Sequence, residues 1–179
     1  MYFSLIIDAR SSGKALNHLL CQASRVASLY SGHSEILVVD DGVLDRQLSR
    51  PGTPGWKLDN CRIIHCYSDS LGQRLNLAAA YSRGRMLGFC FSECDPDWGK
   101  RLVAAANSDQ KNSAIAPRQA QWSWCPWRWR KGEPPHALGV EREWFDLLGG
   151  FDPIMEKGVL QDLISRLKAC HASTITQYA

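Results

Sequence analysis

Apolar runs of strand length alternate with helix-length segments along this chain. Ser4 to Asp8 reads SLIID, an apolar run closed by a carboxylate, and a Ser-Ser-Gly turn follows at Ser11 to Gly13. A helix-length segment from Lys14 to about Tyr30 leads into EILVVDDG, Glu35 to Gly42. Runs this uniformly apolar suit strands of a parallel sheet, buried on both faces. Strand, helix, strand is one βαβ unit, and a right-handed crossover makes its strands parallel neighbours. Cys61 to Tyr67 predicts a third strand. The next segment predicts a helix from Ser70 to near Gly84, with Leu71, Leu75, Leu77 and Ala78 on its apolar side. Met86 to Phe91 is another short apolar run, opening into an acidic turn with Glu93, Asp95 and Asp97. The alternation predicts an α/β fold, a three-layer α/β/α arrangement around a doubly wound, mostly parallel sheet.

Such sheets bind ligands outside the carboxyl ends of their strands. Asp8, Asp40, Asp41 and the Glu93 to Asp97 turn all follow predicted strands. Asp40 and Asp41 can accept hydrogen bonds from a ligand there, although Asp-Asp-Gly is also a plain turn signal. Asp8 either joins them on the adjacent strand end or serves as a helix-capping or turn residue.

These segments, in this order, resemble the family 2 glycosyltransferases, enzymes of the GT-A fold. SLIIDAR resembles the first strand, with Asp8 where a proline is common, and EILVVDDG resembles the second strand with its acidic end. LGQRLNLAAAYSRGRML is similar to the helix that carries a Gly, an Arg or Ala, an Asn and a closing Gly. REWFDLLGGFD, Arg142 to Asp152, resembles the Gly-Gly-Phe-Asp turn, and Asp162-Leu163 with Arg166-Leu167 resembles the helix after it. The resemblance runs from about Ser4 to Ala169. It implies a nucleotide-sugar donor, UDP- or GDP-linked, held by Asp8, Asp40, Asp41, Arg74 and Asn76. It also implies a Mn2+ or Mg2+ ion and inverting transfer to a saccharide or lipid-linked acceptor.

Two departures bear on that chemistry. The metal-binding Asp-x-Asp falls on Phe91-Ser92-Glu93, where Phe91 cannot be a ligand, and a literal Asp-x-Asp comes four residues later as Asp95-Pro96-Asp97. Glu93, Asp95 and Asp97 are therefore the candidate metal ligands. The acidic pair expected before Asp162-Leu163 is replaced by Val159-Leu160, so Glu156 is the nearest candidate base. A divalent cation neutralises the departing diphosphate. A carboxylate base takes the acceptor proton, worth about 10²–10⁴ in rate. Arginines are an alternative clamp for a diphosphate, and Arg74, Arg83, Arg85 and Arg118 border the expected cleft; Arg83 and Arg85 read first as solvated residues closing a helix. Three readings stand: a small glycosyltransferase, a catalytically degenerate relative that binds nucleotide or saccharide as a regulatory or scaffolding subunit, and an interaction protein that docks a partner through its tryptophan strand.

Gln121 to Pro135, QWSWCPWRWRKGEPP, holds Trp122, Trp124, Trp127 and Trp129. Each pair shares one face of an extended strand. The expected uses are acceptor stacking or docking of a partner protein, including self-association. The net charge of +3 argues against a nucleic-acid partner.

At 179 residues the chain is expected to form a single domain over 1–179. No leader pattern or apolar window of membrane-spanning length is visible, so a cytoplasmic protein, open to peripheral membrane contact, is expected. Seven scattered cysteines suit buried small hydrophobes better than disulfides or zinc, with strand alternation separating Cys90 from Cys94. The Leu44 to Asp59 loop carries Pro51, Gly52, Pro54 and Gly55.

Overall fold

A computed structural model describes residues 2–30, 32–42, 60–92, 94, 96–107, 114–115, 135–170 and 174–175. Among the described residues seven strands form one sheet: β1 (Tyr2–Asp8), β2 (His33–Asp40), β3 (Cys61–His65), β4 (Met86–Cys90), β5 (Ala114–Ile115), β6 (Ala137–Glu141) and β7 (Thr174–Ile175). Their order is β3-β2-β1-β4-β6-β5-β7. β3, β2, β1 and β4 run parallel, and β6 is antiparallel to β4 and β5. The predicted three-layer, mostly parallel α/β architecture is what the chain adopts.

The central strands are apolar on both faces because helices cover both. Phe3, Leu5 and Ile7 of β1 join Ile36 and Val38 of β2 in one core under α2 (Leu16–Ser28) and α4 (Pro96–Asn107). Ile6, Leu37, Val39, Leu87 and Phe89 face the other core, under α3 (Leu71–Tyr81), α5 (Arg142–Leu147) and α6 (Val159–Ala169). Each such side chain contributes roughly 1.5–3 kcal/mol on burial. Two glycines let the first layer close up. A Cβ on Gly88 would meet Leu102 and Leu5 at 2.8 and 2.9 Å, and one on Gly99 would meet Val26 at 2.4 Å.

Some expected boundaries shift. The Ser-Ser-Gly segment is a helical turn, α1 (Ala9–Ser12), capped by Asp8, which accepts from the Ser11 amide. It continues through a 3-10 turn, Gly13–Ala15, so the long helix starts at Leu16 rather than Lys14. In α3 the buried stripe is Leu71, Arg74, Leu75, Ala78 and Ala79, with Leu77 only half-buried. Cys90 and Cys94 are not separated: their sulfurs lie 3.6 Å apart, both buried. The chain leaves the strand after Cys90, which cancels strand alternation. Burial, helped by the Cys94 thiol, pushes the Cys90 thiol well above its ordinary range.

Strand order reverses between β1 and β4. The chain builds β2 and β3 on one side of β1, then returns to place β4 on the other. In a doubly wound sheet the ligand crevice lies there, outside the carboxyl ends of the strands.

Candidate nucleotide-binding edge

Asp8 ends β1 and is fully buried. Arg74 reaches it from α3 with two bonds, Nε to Oδ1 at 2.7 Å and an Nη to Oδ2 at 3.0 Å. The other Arg74 Nη donates to the carbonyls of Ser68 and Asp69, each at 2.8 Å. Arg74 is thus a buried bracket tying β1 to the β3–α3 connection. Its donors are engaged inside the protein, so it is not the open diphosphate clamp that its sequence position suggested.

Asn76 is a second bracket. Its side-chain amide donates to the Phe151 carbonyl and accepts from the Phe151 amide, both at 2.8 Å. This docks α3 onto the Gly149–Asp152 turn, where Gly149 and Gly150 have φ of 76° and 72°. A Cβ on Gly150 would meet the Asn76 Oδ1 at 2.7 Å, and one on Gly72 would meet the Asp152 carbonyl oxygen at 2.0 Å. Phe151 then packs on Phe89 and Phe145, with ring centroids 4.8 and 5.3 Å away. The motif residues Gly72, Arg74 and Asn76 therefore build the floor of the edge.

What remains open lies at the ends of β2 and β3. Asp40 is fully buried at the end of β2, its Oδ2 3.8 Å from Nδ1 of the half-exposed His65 of β3. Asp41 follows, with Oδ2 3.4 Å from Arg10 and with Oδ1 buried and lacking a hydrogen-bond partner among the described residues. Arg10, at the start of α1, also donates to Asp69 at 2.9 Å. That bond outweighs a small desolvation cost and, with Asp41, Asp69 and Asp8, raises the guanidinium above its ordinary value. Arg10 and Asp69 carry no strand-end or motif signal, and the sequence runs the third strand on to Tyr67, which hides that His65 ends it; all three are absent from the sequence-based site.

On the other side of β1, Ser12 donates to the carbonyls of Asp8 (2.8 Å) and Phe91 (3.2 Å), closing the switch point. β6 runs antiparallel to β4, so His136, just before it, meets the end of β4. Its carbonyl accepts from the Phe91 amide at 3.0 Å, and its Nδ1 lies 2.9 Å from the Ser92 hydroxyl. Sequence reasoning missed this pair too, because it depends on a pairing 44 residues apart.

The described residues near the expected metal position do not fit a divalent cation. Phe91 supplies no ligand atom, and Ser92 is engaged with His136. Asp97 sits in the first turn of α4, exposed and 3.2 Å from Lys100. Among the described residues no three His, Cys, Asp or Glu side chains converge to hold a metal. Glu93, Asp95, Arg118 and the four tryptophans Trp122, Trp124, Trp127 and Trp129 lie outside the described residues, as does the 43–59 loop. Glu156 is exposed on the segment after the Gly-Gly turn, next to Met155, whose carbonyl accepts from Gly72 at the start of α3. Val159 and Leu160 are buried in the core.

Arg83 and Arg85 are at the opposite end of the sheet, before β4. A shallow depression of about 510 Å³ lies there, lined by Arg83, Arg85, Glu141, Arg142 and neighbours. Arg142 is bound to the carbonyls of Gly84, Ala79 and Ser82, which close α3. Topology and the open polar groups both favour the carboxyl edge over this depression as the ligand site.

The sequence matches no family profile and no curated protein. The fold has clear counterparts. S. aureus TarS in complex with UDP-GlcNAc superimposes with a TM-score of 0.63 at 16% identity, over 100% of this chain and 57% of TarS. The fold is GT-A-like. The mannosyltransferase PcManGT from Pyrobaculum calidifontis, in complex with GDP-Man and Mn2+, gives 0.56 at 14% identity over 98% of this chain and 54% of that one. A nucleotidyl transferase from Methanothermobacter gives 0.54 at 13% identity over 97% and 85%. The chain therefore spans little more than half the length of either glycosyltransferase. Among the described residues no helix is long and apolar enough to cross a membrane.

Proposed function

We propose that this GT-A-like chain binds a nucleotide sugar, UDP- or GDP-linked, at the carboxyl edge of β1–β4 and transfers the sugar to a saccharide or lipid-linked acceptor. The observation that carries the proposal is Asp41, whose buried Oδ1 has no donor among the described residues, next in the chain to Asp40, which faces His65. A buried carboxylate oxygen without a donor is costly, and a ribose hydroxyl or base N–H supplies one. Asp40 and Asp41 then accept from the nucleoside. Asp8, Arg74 and Asn76 act as positioning residues that hold the edge in shape. Glu156, exposed near the start of α3, is the candidate base for the acceptor hydroxyl. TarS and PcManGT, of the same fold, were solved with nucleotide sugars.

The test is calorimetric titration with UDP and GDP, with and without Mn2+, for the wild type and Asp41→Asn. Binding of one nucleotide, weakened at least tenfold in Asp41→Asn, is expected. Failure of the wild type to bind either nucleotide would sink the proposal.

A second reading is favoured by Val159 and Leu160, apolar and buried where the resemblance puts the acidic pair. In it the protein binds nucleotide without turnover and acts as a binding or scaffolding subunit through its Trp122–Trp129 segment. Steady-state transfer or hydrolysis of a sugar nucleotide, lost in Glu156→Gln, separates the first reading from this one.

A further inference from the structure

We infer that His136, oriented by Ser92, donates the hydrogen bond that holds the diphosphate of the bound nucleotide, at the place where the resemblance would put a metal ion. This rests on the nucleotide-binding reading above and adds to it the group that takes the phosphates.

Charge divides the edge into two zones. Asp8, Asp40, Asp41 and Asp69 gather at the ends of β1, β2 and the β3–α3 connection, and the cations among them, Arg10 and Arg74, are paired with those acids. That zone accepts hydrogen bonds from a base or ribose and repels phosphate. The end of β4 and the start of β6 form the other zone, where the described polar side chains are Ser92, His136 and, on the first turn of α4, Asp97, which is paired with Lys100. From β2 across β1 and β4 to β6 is three strand spacings, roughly 14 Å. An extended nucleoside diphosphate bridges that span, base at Asp40 and phosphates at His136.

The local geometry prepares a donor. The Phe91 amide bonds the His136 carbonyl, which adds one rung to the β4–β6 ladder and fixes the backbone of His136. In the tautomer where the Ser92 hydroxyl donates to Nδ1, the N–H of the exposed imidazole is at Nε2 and can donate to a phosphate. Helix α4, 12 residues long, begins at the same edge, and its N-terminal end favours negative charge. Among the described residues of the metal's register none offers a coordinating carboxylate: Phe91 has no ligand atom, and the Ser92 hydroxyl is engaged with His136.

The experiment compares UDP with UMP, and GDP with GMP, in the presence of a chelator, for the wild type, His136→Gln and Ser92→Ala. The expected result is a wild-type preference for the diphosphate that survives chelation. His136→Gln should weaken diphosphate binding about ten- to hundredfold and leave monophosphate binding unchanged. Ser92→Ala, which frees the ring, should lie between them, with unaltered melting curves. Wild-type affinity for the diphosphate in His136→Gln would overturn the assignment, as would diphosphate binding that disappears with the chelator and returns with Mn2+. Should His136→Gln fail to fold, Ser92→Ala decides, and an unchanged diphosphate preference there overturns the role. Absence of wild-type binding to all four nucleotides would remove the nucleotide reading itself, a different failure from a nucleotide bound without His136.

Discussion

At the amino end of the sheet Glu35 is enclosed by donors, whereas at the carboxyl end Asp41 is left partly open. Glu35 Oε1 accepts from the Ser4 hydroxyl (2.7 Å) and the Arg83 amide (2.6 Å), and Oε2 accepts from Arg62 (2.8 Å). Asp8, at the carboxyl end, is enclosed in the same way by Arg74 and the Ser11 amide. Its neighbour Asp41 has one oxygen against a half-exposed arginine and one with no donor among the described residues. Closed networks hold a fold together; an open acceptor at the carboxyl edge of the sheet is where a ligand completes the structure. The sorting criterion is whether a group's hydrogen bonds close inside the chain, not whether the group is charged.

The sharpest way to break the comparison is to open the closed member of the carboxyl end. Arg74→Ala leaves Asp8 buried without its counter-charge and orphans the Ser68 and Asp69 carbonyls. A loss of about 3–5 kcal/mol is expected in denaturant unfolding, enough to threaten the fold. Arg74→Lys keeps the charge but loses the fork, so it should recover only part of that loss. Stability near wild type in Arg74→Ala would mean that Asp8 is open, as Asp41 is.

Glu35→Gln tests the opposite end. Desolvation pushes this carboxyl up, but the Ser4 hydroxyl, the Arg83 amide and Arg62 outweigh it and hold it below its ordinary value of 4.5. A folded value below the unfolded one means stability that is present above about pH 4.5 and is lost as pH falls through the folded value. The wild type should therefore lose its margin over Glu35→Gln on acidification. Near neutrality the variant should be weaker by about 1.5–3 kcal/mol, the cost of bonds to a charged group. A margin that stays constant from pH 7 to pH 3 would contradict the closed network.

Asn76→Ala should cost about 1–3 kcal/mol, because the amide and carbonyl of Phe151 then lose their partners. Asn76→Asp should be nearly as costly, since a carboxylate can accept from the Phe151 amide but cannot donate to its carbonyl. If these variants keep stability and lose nucleotide affinity, Asn76 touches ligand, and the bracket has been misassigned.

Much of the fold was legible in the sequence because burial on both faces leaves a direct trace in runs such as SLIID and ILVV. The strand-end acids Asp8, Asp40 and Asp41 could be read for the same reason: a carboxylate that ends such a run falls at the sheet edge. The division of labour among them could not be read. Arg74 lies on the same helical stripe as Leu71, Leu75 and Ala78, so periodicity did hint at a buried arginine, but not at Asp8 as its partner 66 residues away. Motif resemblance suggested ligand contact for Arg74 and Asn76, yet here the same residues dock the Gly149–Gly150 turn and the β3–α3 connection. His136 had no local signal at all, since its meaning depends on β6 lying antiparallel beside β4.

Arg10→Ala is the smallest perturbation to the fold and the finest probe of the comparison. The side chain is 45% exposed, and exposed ion pairs add little to stability because solvent screens them and ordering two side chains offsets the gain. The melting temperature should barely move. Nucleotide affinity should respond more, because Arg10 partly neutralises Asp41 and Asp69 at the mouth of the edge, and without it two bare carboxylates face an anionic ligand. Affinity for UDP or GDP should fall several-fold at low salt, and the difference from wild type should shrink at high salt as screening mutes that repulsion. A drop in stability with unchanged affinity would place Arg10 with Arg74 among the closed brackets. A rise in affinity would mean that Arg10 competes with the ligand for Asp41, and that the open acceptor is guarded rather than assisted.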